Sequence, residues 1–587
     1  MTERQRRILL VVAIAVALTR FLAVAHNLFD WDEGLFCGGV VEYDVANHHP
    51  HPPGYPLFIA AAKLVHLIGV PPFRSLQTIV VLGALALFPA TFFFARALGF
   101  AFATSVAGAA IYCFLPNVWI YGGTGFSDIP ATAIGFAACA LLLRGRGDRR
   151  AYILGAIVLG IAAGFRPPNL FIGAVPALVA TWSRIRARDW RAVATALVLG
   201  GAIAGASYAG AALASSSIDG YLGALRSQSK WVHDIDSWHN PHRAPLSVVA
   251  RMFFLWPVEQ HAQMFGLVCL AIIGLLGALF AANSRRAALL VVATFVPLAI
   301  TTWLNLDVQA AGRYAIPYLV VHALLAAEGL RWITLQRTGV QAALAGAIVI
   351  VFCVWTWPAL TLQRRRDAPP VAALNWIRRN VPRDAKVYVH GGLGPLADVV
   401  LHDRLPMYFD SLDQISLTNG DAWVVDLNIA PGAHNFVWPR QQLWKILRRR
   451  NFEASISRLS AHLVFGSGFY PQEGSGLDIF QWMGKEGRIE MPAFHGDGRL
   501  HLRTYVPINT LPAHPTIEVW MNGKLLDRFL GDRDEIDRSW IVPSRAGAPN
   551  ELRITTSGVV NPKALGKSDD ARDLGLRIDV LSWTPVR

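Results

Sequence analysis

The stretch of residues 27–54 is rich in side chains that can accept or donate a proton. Between residues 30 and 51 there is no lysine or arginine. A carboxylate held near a reacting hydroxyl can act as a general base, and carboxylates with imidazoles can hold a divalent cation. A loop that only has to be soluble would mix charges of both signs, so this composition favours a functional site over a solvated acidic loop. The acidic and imidazole side chains are Asp30, Asp32, Glu33, Glu42, Asp44, His48, His49 and His51.

Basic residues recur farther along the chain in short polar segments between apolar ones. Arg166 precedes two prolines, Lys230 lies within 214–261, and Arg313 opens another apolar stretch. Guanidinium and ammonium groups suit a phosphate or pyrophosphate ligand. For any one of these residues, contact with lipid head groups by a snorkelling side chain is the simpler alternative. An acidic loop and a basic loop on one side of a membrane together favour a site.

The acidic and basic candidate residues lie between long apolar stretches of the chain. Hydrophobic residues make up 53% of the 587 residues and charged ones 16%, unlike a typical soluble protein. Within residues 1–360, several runs approach or exceed the roughly 20 residues that cross a bilayer. We therefore predict a polytopic α-helical membrane domain over 1–360, with about eleven spans. The clearest runs are 7–26, 76–98, 191–213, 262–283 and 338–358.

The positive charge predicts the orientation of that domain. Arginine clusters recur at the ends of alternate apolar runs, as the positive-inside rule expects of cytoplasmic loops. This pattern accounts for the formal charge of +14 without nucleic acid as a partner. It places the N-terminus in the cytoplasm and the loops 27–75 and 214–261, with the C-terminal half, on the outer face of a bacterial-type inner (plasma) membrane. The first apolar run is interpreted as a retained helix.

Three apolar segments are too short for ordinary spans. Residues 55–68 form a run of about 14 residues, better suited to lying along the membrane interface than to crossing it. The segments 151–165 and 169–182 flank Arg166-Pro167-Pro168. Paired short helices that meet at such a turn indicate a site inside a membrane protein. A plain hairpin of two tilted helices is an equal alternative.

Four motifs carry a resemblance to a known group. They are Trp31-Asp32-Glu33, the segment 51–56 that begins His51-Pro-Pro, Gly123-Thr-Gly-Phe-Ser-Asp128, and the segment 311–317 around Arg313-Tyr314. Together they resemble the GT-C membrane glycosyltransferases, in particular the protein O-mannosyltransferases and the lipid A aminoarabinose transferases. The resemblance covers roughly residues 5–358. It departs from the aminoarabinose transferases at Gly34-Leu35-Phe36, which leaves the substrate open.

The resemblance implies inverting transfer of a sugar from a polyprenyl-phosphate donor to an acceptor hydroxyl on the extracytoplasmic face. The acceptor would be a glycan, a lipid or a protein. A divalent metal held by Asp32, Glu33 and His51 is a further hypothesis. The implied roles are Asp32 as catalytic base with Glu33 as its partner; Arg313, Lys230 and Arg166 as ligands of the donor phosphate; and His51, Tyr55, Tyr314 and Asp128 as substrate contacts.

The C-terminal part has a different composition, with mixed polar and apolar residues after Arg364. Alternating helical and strand-like segments predict a small extracytoplasmic α/β domain over 361–462. Short alternating runs over 463–587 predict a jelly-roll-like β-sandwich, with Asn522-Gly523 as a hairpin turn. The sandwich resembles modules appended to bacterial glycan enzymes, which implies carbohydrate binding. Its aromatic residues are also explained as core filling.

Two other functions compete with the glycosyltransferase hypothesis. A transporter or flippase for lipid-linked glycans would explain the spans and the Arg166 turn, but it does not require a dense acidic loop outside the membrane. A glycan-binding assembly protein on a degenerate membrane anchor would not require the Asp32-Glu33 pair, which is intact.

Overall fold

The described chain forms two compact units. One consists of Met1–Val371 with Trp438–Phe452, and the other of Ala372–Val437 with Glu453–Arg587. The first is helical and the second contains three β-sheets, so the predicted fold class is confirmed. The computed structural model describes residues 1–255, 261–306, 308–410, 422–429, 433–441, 443–447, 452–459, 464–474, 480–491, 497–543 and 548–585.

The helical unit begins with the elements that carry the acidic loop. These are α1 (Glu3–Arg20), α2 (Trp31–Val41), α3 (Pro56–His66), α4 (Pro72–Leu98), α5 (Phe102–Phe114), α6 (Pro116–Tyr121) and α7 (Asp128–Arg144). The following helices are α8 (Arg149–Phe165), α9 (Asn169–Arg186), α10 (Trp190–Ala214), α11 (Ile218–Trp231), α12 (Leu246–Ala250), α13 (Ala262–Leu279), α14 (Ala282–Asn305), α15 (Ala311–Tyr314), α16 (Leu319–Ile333) and α17 (Thr338–Arg365).

Five helical stretches of the described residues are long and apolar enough to cross a membrane, judged by length and composition. The predicted total of about eleven spans stays a prediction. The five stretches are Pro72–Leu98, Trp190–Ala214, Ala262–Leu279, Ala282–Asn305 and Thr338–Asn380.

The predicted break at Arg166 is present between α8 and α9. Arg166 has an extended backbone, and Pro167 and Pro168 separate it from the next helix. A residue before proline is driven out of the α-helical region by steric clash, so the sequence itself ends α8 there. The short apolar segment at 55–68 also forms a helix, α3.

The second unit contains a mixed sheet and two antiparallel sheets. Helix α18 (Pro369–Asn380) precedes the first strand of the mixed sheet, and helix α19 (Gly394–Val400) follows that strand. A mixed sheet has the order β2-β1-β3-β5-β4. Its strands are β1 (Lys386–His390), β2 (Met407–Phe409), β3 (Ala422–Asp426), β4 (His434–Val437) and β5 (Glu453–Leu459).

Two further sheets, ordered β11-β10-β13-β8-β6 and β12-β9-β14-β7, share a core of buried apolar side chains. At Asn522-Gly523 both residues have positive φ, of 53° and 79°, and they join β10 to β11 as predicted. The strands are β6 (Val464–Phe465), β7 (Gln481–Met483), β8 (Glu486–Met491), β9 (Asp497–Tyr505), β10 (Thr516–Met521), β11 (Lys524–Leu530), β12 (Glu535–Pro543), β13 (Asn550–Thr556) and β14 (Leu576–Pro585).

Candidate active site

Glu33 anchors the start of α2 from inside the protein. Its side chain is fully buried, and its Oε2 accepts hydrogen bonds from the backbone amides of Phe29 at 2.7 Å and Asp30 at 3.2 Å. Its Oε1 accepts one from the amide of Gly125 at 2.7 Å. A buried carboxylate needs such donors. Here they tie α2 to the segment that leads into α7, and Glu33 does not line the cavity described below.

Asp32, the next residue toward the N-terminus, points elsewhere. Its Oδ2 accepts a hydrogen bond from Nη1 of Arg313 at 2.6 Å, and its side chain is 23% exposed. Arg313 is supplied by α15 and is mostly buried, with its guanidinium over the ring of Phe126 at 4.5 Å. Residues 281 positions apart in the chain are thus in direct contact.

Asp128 lies between two guanidinium groups. Its Oδ1 is 3.2 Å from Nη2 of Arg166, and its Oδ2 is 3.9 Å from Nε of Arg313. The Asp128 side chain is only 3% exposed. Nε of Arg313 is buried and makes no hydrogen bond within the described chain. Two arginines and two carboxylates therefore form one cluster. Asp128 lies on its buried side, behind the arginines, and Asp32 lies on its more exposed side.

Aromatic side chains surround the cluster. The Arg166 guanidinium lies 5.9 Å from the ring centroids of both Tyr55 and Tyr314. Nε2 of His51 and the Tyr55 hydroxyl are 3.1 Å apart, within hydrogen-bond distance. Burial raises the pKa of Tyr55 to about 12, so its hydroxyl keeps its proton at neutral pH and can donate.

These residues open onto a cavity of about 930 Å³, large enough for a ligand of several sugar or phosphate units. One wall is charged and comes from the acidic loop, the Arg166 turn and α15. The opposite wall comes from the end of α11 and the segment after it. The charged wall includes Asp32, His51, Tyr55, Arg166, Arg313 and Tyr314. The opposite wall includes Gln228, Trp231, Ile235, Asn240, His242 and Arg243.

Arg243 fixes the opposite wall in place. Its guanidinium donates hydrogen bonds to the backbone carbonyls of Trp303, Leu304 and Leu306 at 3.0–3.1 Å, at the C-terminal end of α14. Carbonyls in the last turn of a helix lack intrahelical partners, and a cation there is stabilising. The sequence showed this loop to be basic but gave no signal for its contacts.

The structure brings together most of the predicted site residues. Asp32, Arg166, Arg313, His51, Tyr55 and Tyr314 all line the cavity, and Asp128 supports the arginines from behind. Lys230 is exposed on α11 and is not part of the lining, although its neighbours Gln228 and Trp231 are. Neither neighbour stands out in the sequence, because one tryptophan and one glutamine in a polar loop fit no motif.

Electrostatics keep Asp32 ionised. Burial by itself would raise its pKa, but Arg313, His51 and Arg166 outweigh that effect and lower it to about 2. For His51, burial lowers the pKa; Asp32 acts against this effect, and the two arginines add to it. A neutral imidazole and a charged carboxylate therefore face the cavity at neutral pH.

The three proposed metal ligands do not form a ligand set. Both oxygens of Glu33 accept backbone amide hydrogens, and Asp32 is bound to Arg313. Over the described ranges, no group of three or more His, Cys, Asp or Glu side chains is placed to hold an ion. Arg166 and Arg313 would also repel a cation in this position. These residues therefore do not fit a metal.

No protein-family profile matches the sequence, and no curated protein matches it. Solved structures do match. ArnT from Cupriavidus metallidurans bound to undecaprenyl phosphate is 14% identical with a TM-score of 0.45, over 76% of this chain and 97% of that one. The archaeal oligosaccharyltransferase AglB from Archaeoglobus fulgidus, in complex with an inhibitory peptide and a dolichol-phosphate, is 13% identical with a TM-score of 0.41.

The match to AglB covers 71% of this chain and 66% of AglB, so this chain spans slightly less than two thirds of that protein. The arabinosyltransferase EmbB from Mycobacterium smegmatis is 11% identical with a TM-score of 0.38, over 100% of this chain and 65% of EmbB. All three identities are 14% or less, and all three TM-scores are below 0.5. At these values the likeness concerns the fold, and it assigns neither a donor nor an acceptor to this chain.

Proposed function

We propose that this chain is an inverting glycosyltransferase of the extracytoplasmic membrane face that transfers a sugar from a polyprenyl-phosphate donor to an acceptor hydroxyl. The observation that carries the proposal is the meeting of Asp32 with Arg313 and Arg166 in one cavity. A carboxylate base and a cationic phosphate ligand are the two groups that a single displacement needs.

The arginines act on the leaving group. Arg313 and Arg166 bind the donor phosphate, and their charge stabilises the negative charge that develops as the bond to the sugar breaks. Asp128 holds both guanidinium groups in orientation from behind. It is a positioning residue in this scheme.

Asp32 acts on the acceptor. Its carboxylate takes the proton of the acceptor hydroxyl as the acceptor oxygen forms a bond to the anomeric carbon. The bond from that carbon to the phosphate oxygen breaks, and its electron pair stays on the phosphate. The products are the inverted glycoside, polyprenyl phosphate and a protonated Asp32, which then releases its proton to solvent.

The proposal is tested by lipid analysis in cells. A deletion strain should accumulate a polyprenyl-phosphate sugar and lose one envelope glycan, both measured by mass spectrometry. The wild-type gene should reverse both changes, whereas the Asp32→Asn variant should reverse neither. A strain with unchanged lipid-linked sugars and unchanged glycans would contradict the proposal. Restored glycan synthesis in the Asp32→Asn strain would favour the transport hypothesis, since moving a lipid across a membrane needs no base.

A further inference from the structure

The direct contact between Asp32 and Arg313 does not fit the geometry of the proposed reaction. In an inverting displacement, the acceptor oxygen and the leaving phosphate lie on opposite sides of the anomeric carbon. The base and the phosphate ligand must therefore be separated by the acceptor oxygen, the carbon and the phosphate oxygen. Yet the carboxylate of Asp32 is 2.6 Å from the guanidinium of Arg313, which leaves no space for any of these atoms.

The two partners are held very differently. The Arg313 guanidinium is packed over Phe126 and lies beside Asp128, which itself is only 3% exposed. The Asp32 side chain is 23% exposed and faces the cavity, and no further hydrogen bond to its carboxylate is seen within the described chain. The backbone of its helix is fixed separately by Glu33. The carboxylate is thus the partner that can move by side-chain rotation alone.

We propose that in the free protein the Asp32 carboxylate occupies the phosphate subsite, and that the donor phosphate displaces it from Arg313. The inference rests on the proposed function and adds an order of events to it. The donor binds first, since its phosphate must replace Asp32 before the acceptor can be activated. The released carboxylate then faces the acceptor with the sugar between it and Arg313.

The exchange also makes Asp32 a better base. Its pKa of about 2 depends in large part on Arg313, and a phosphate that neutralises Arg313 removes much of that influence. A base works best when its pKa lies nearer the operating pH. Binding of the donor therefore activates the group that attacks next, and the base stays weak while no sugar is present.

Binding of undecaprenyl phosphate alone to the full-length protein in detergent tests the exchange, because no sugar is present to be transferred. If Asp32 is paired with Arg313 in nine-tenths of the free protein molecules, removal of the Asp32 carboxylate should tighten the binding of undecaprenyl phosphate by about tenfold. We expect this tightening for Asp32→Asn and again for Asp32→Ala, which guards against a defect particular to one substitution. Arg313→Ala should weaken binding by at least about tenfold.

Asp30→Asn is the matched control, because Asp30 lines the same cavity two residues away. It removes the same charge and should change the affinity much less than Asp32→Asn. Equal tightening by both variants would mean a general charge effect, and unchanged or weaker binding by the Asp32 variants would mean that no exchange occurs. Either result overturns the inference. If the wild type does not bind the lipid, or if Arg313→Ala binds it equally well, Arg313 is not a ligand of the donor phosphate. That result would contradict the proposed function itself.

Discussion

Asp32 and Glu33 are adjacent carboxylates with opposite surroundings. Neighbouring residues of a helix point about 100° apart, because a turn holds 3.6 residues. On α2 this rotation turns Glu33 toward backbone amides in the interior and Asp32 toward the cavity and Arg313. At the residue scale, the pair therefore divides into one group suited to chemistry and one suited to holding the loop.

Asp32→Asn should lower the rate of sugar transfer by about 10²–10⁴-fold, the usual contribution of a general base. The amide keeps the size of the side chain but cannot take the proton of the acceptor. The measurement is a single-turnover assay with the lipid-linked sugar from the deletion strain. Undecaprenyl phosphate should bind this variant at least as tightly as the wild type, which separates lost chemistry from lost folding. Wild-type turnover by the variant would remove Asp32 from the role of base.

Glu33→Gln should destabilise the protein by roughly 1–3 kcal/mol, because an amide NH₂ group replaces an oxygen that accepts a buried backbone hydrogen bond. The thermal midpoint of the detergent-solubilised protein measures this effect. Glu42→Gln is the matched control, since Glu42 is an exposed carboxylate of the same loop. Equal midpoints for the two variants would show that Glu33 does not anchor the loop.

The ion pair of Asp32 should also leave a pH signature in stability. Its pKa is lowered to about 2 in the folded protein by Arg313, His51 and Arg166, against burial. A carboxyl whose pKa is lower in the folded protein than in the unfolded chain stabilises the folded state at pH values above the unfolded-state pKa. This stabilisation is lost as the pH falls toward the folded-state pKa. The thermal midpoint of the wild type should thus exceed that of Asp32→Asn at pH 7, and the gap should narrow below about pH 4. A gap that is constant down to pH 3 would contradict the ion-pair assignment.

At the scale of elements, the chain between α1 and the acidic loop lies against the segment before α7. A Cβ added to Gly123 would lie 1.9 Å from the backbone oxygen of Ala23, so a side chain cannot be placed there without movement. The amide of Gln77 in α4 bridges the two segments, donating to the carbonyls of Ala25 at 3.0 Å and Gly123 at 2.7 Å. This close approach ties the chain that leads into the acidic loop to the segment that leads into Asp128.

Gly123→Ala should therefore lower both stability and transfer. We expect a loss of about 1–3 kcal/mol in the free energy of unfolding, typical of overpacking, and weaker binding of undecaprenyl phosphate. Gly147→Ala makes the same change where a Cβ would meet no atom within 4 Å. The thermal midpoints and lipid affinities of the two variants are to be compared. A Gly123→Ala protein that matches the control would show that the two segments can separate without cost.

At the scale of the whole molecule, a late part of the chain belongs to the helical unit. Trp438–Phe452 is part of the first compact unit and includes α20 (Leu443–Leu447). A Cβ on Gly312 would lie 2.3 Å from the carbonyl oxygen of Ile446, so this helix touches the backbone next to Arg313. The predicted boundaries at 360 and 462 and carbohydrate binding by the sandwich stay predictions.

Trp444→Ala should weaken the support of α15 and with it the binding of undecaprenyl phosphate. Trp444 is buried in α20 and stacks on Trp438 at 5.8 Å, and truncation of such a side chain costs about 3–5 kcal/mol. Trp520→Ala is the control, because Trp520 lies in the β-sandwich. Lipid binding should fall in the first variant and not in the second. Equal affinities would show that α20 does not support Arg313.

The sequence by itself determined the helical membrane unit, the break at Arg166, the Asn522-Gly523 hairpin and the acidic and basic residues of the site. These follow from local causes: apolar run length, the steric effect of proline, turn conformation and side-chain chemistry. Only the tertiary structure decided that Asp32 contacts Arg313, that Asp128 joins the two arginines, and that Glu33 and Lys230 stay out of the cavity. Those outcomes depend on contacts between residues far apart in the chain, and no local pattern encodes which of several like charges will meet.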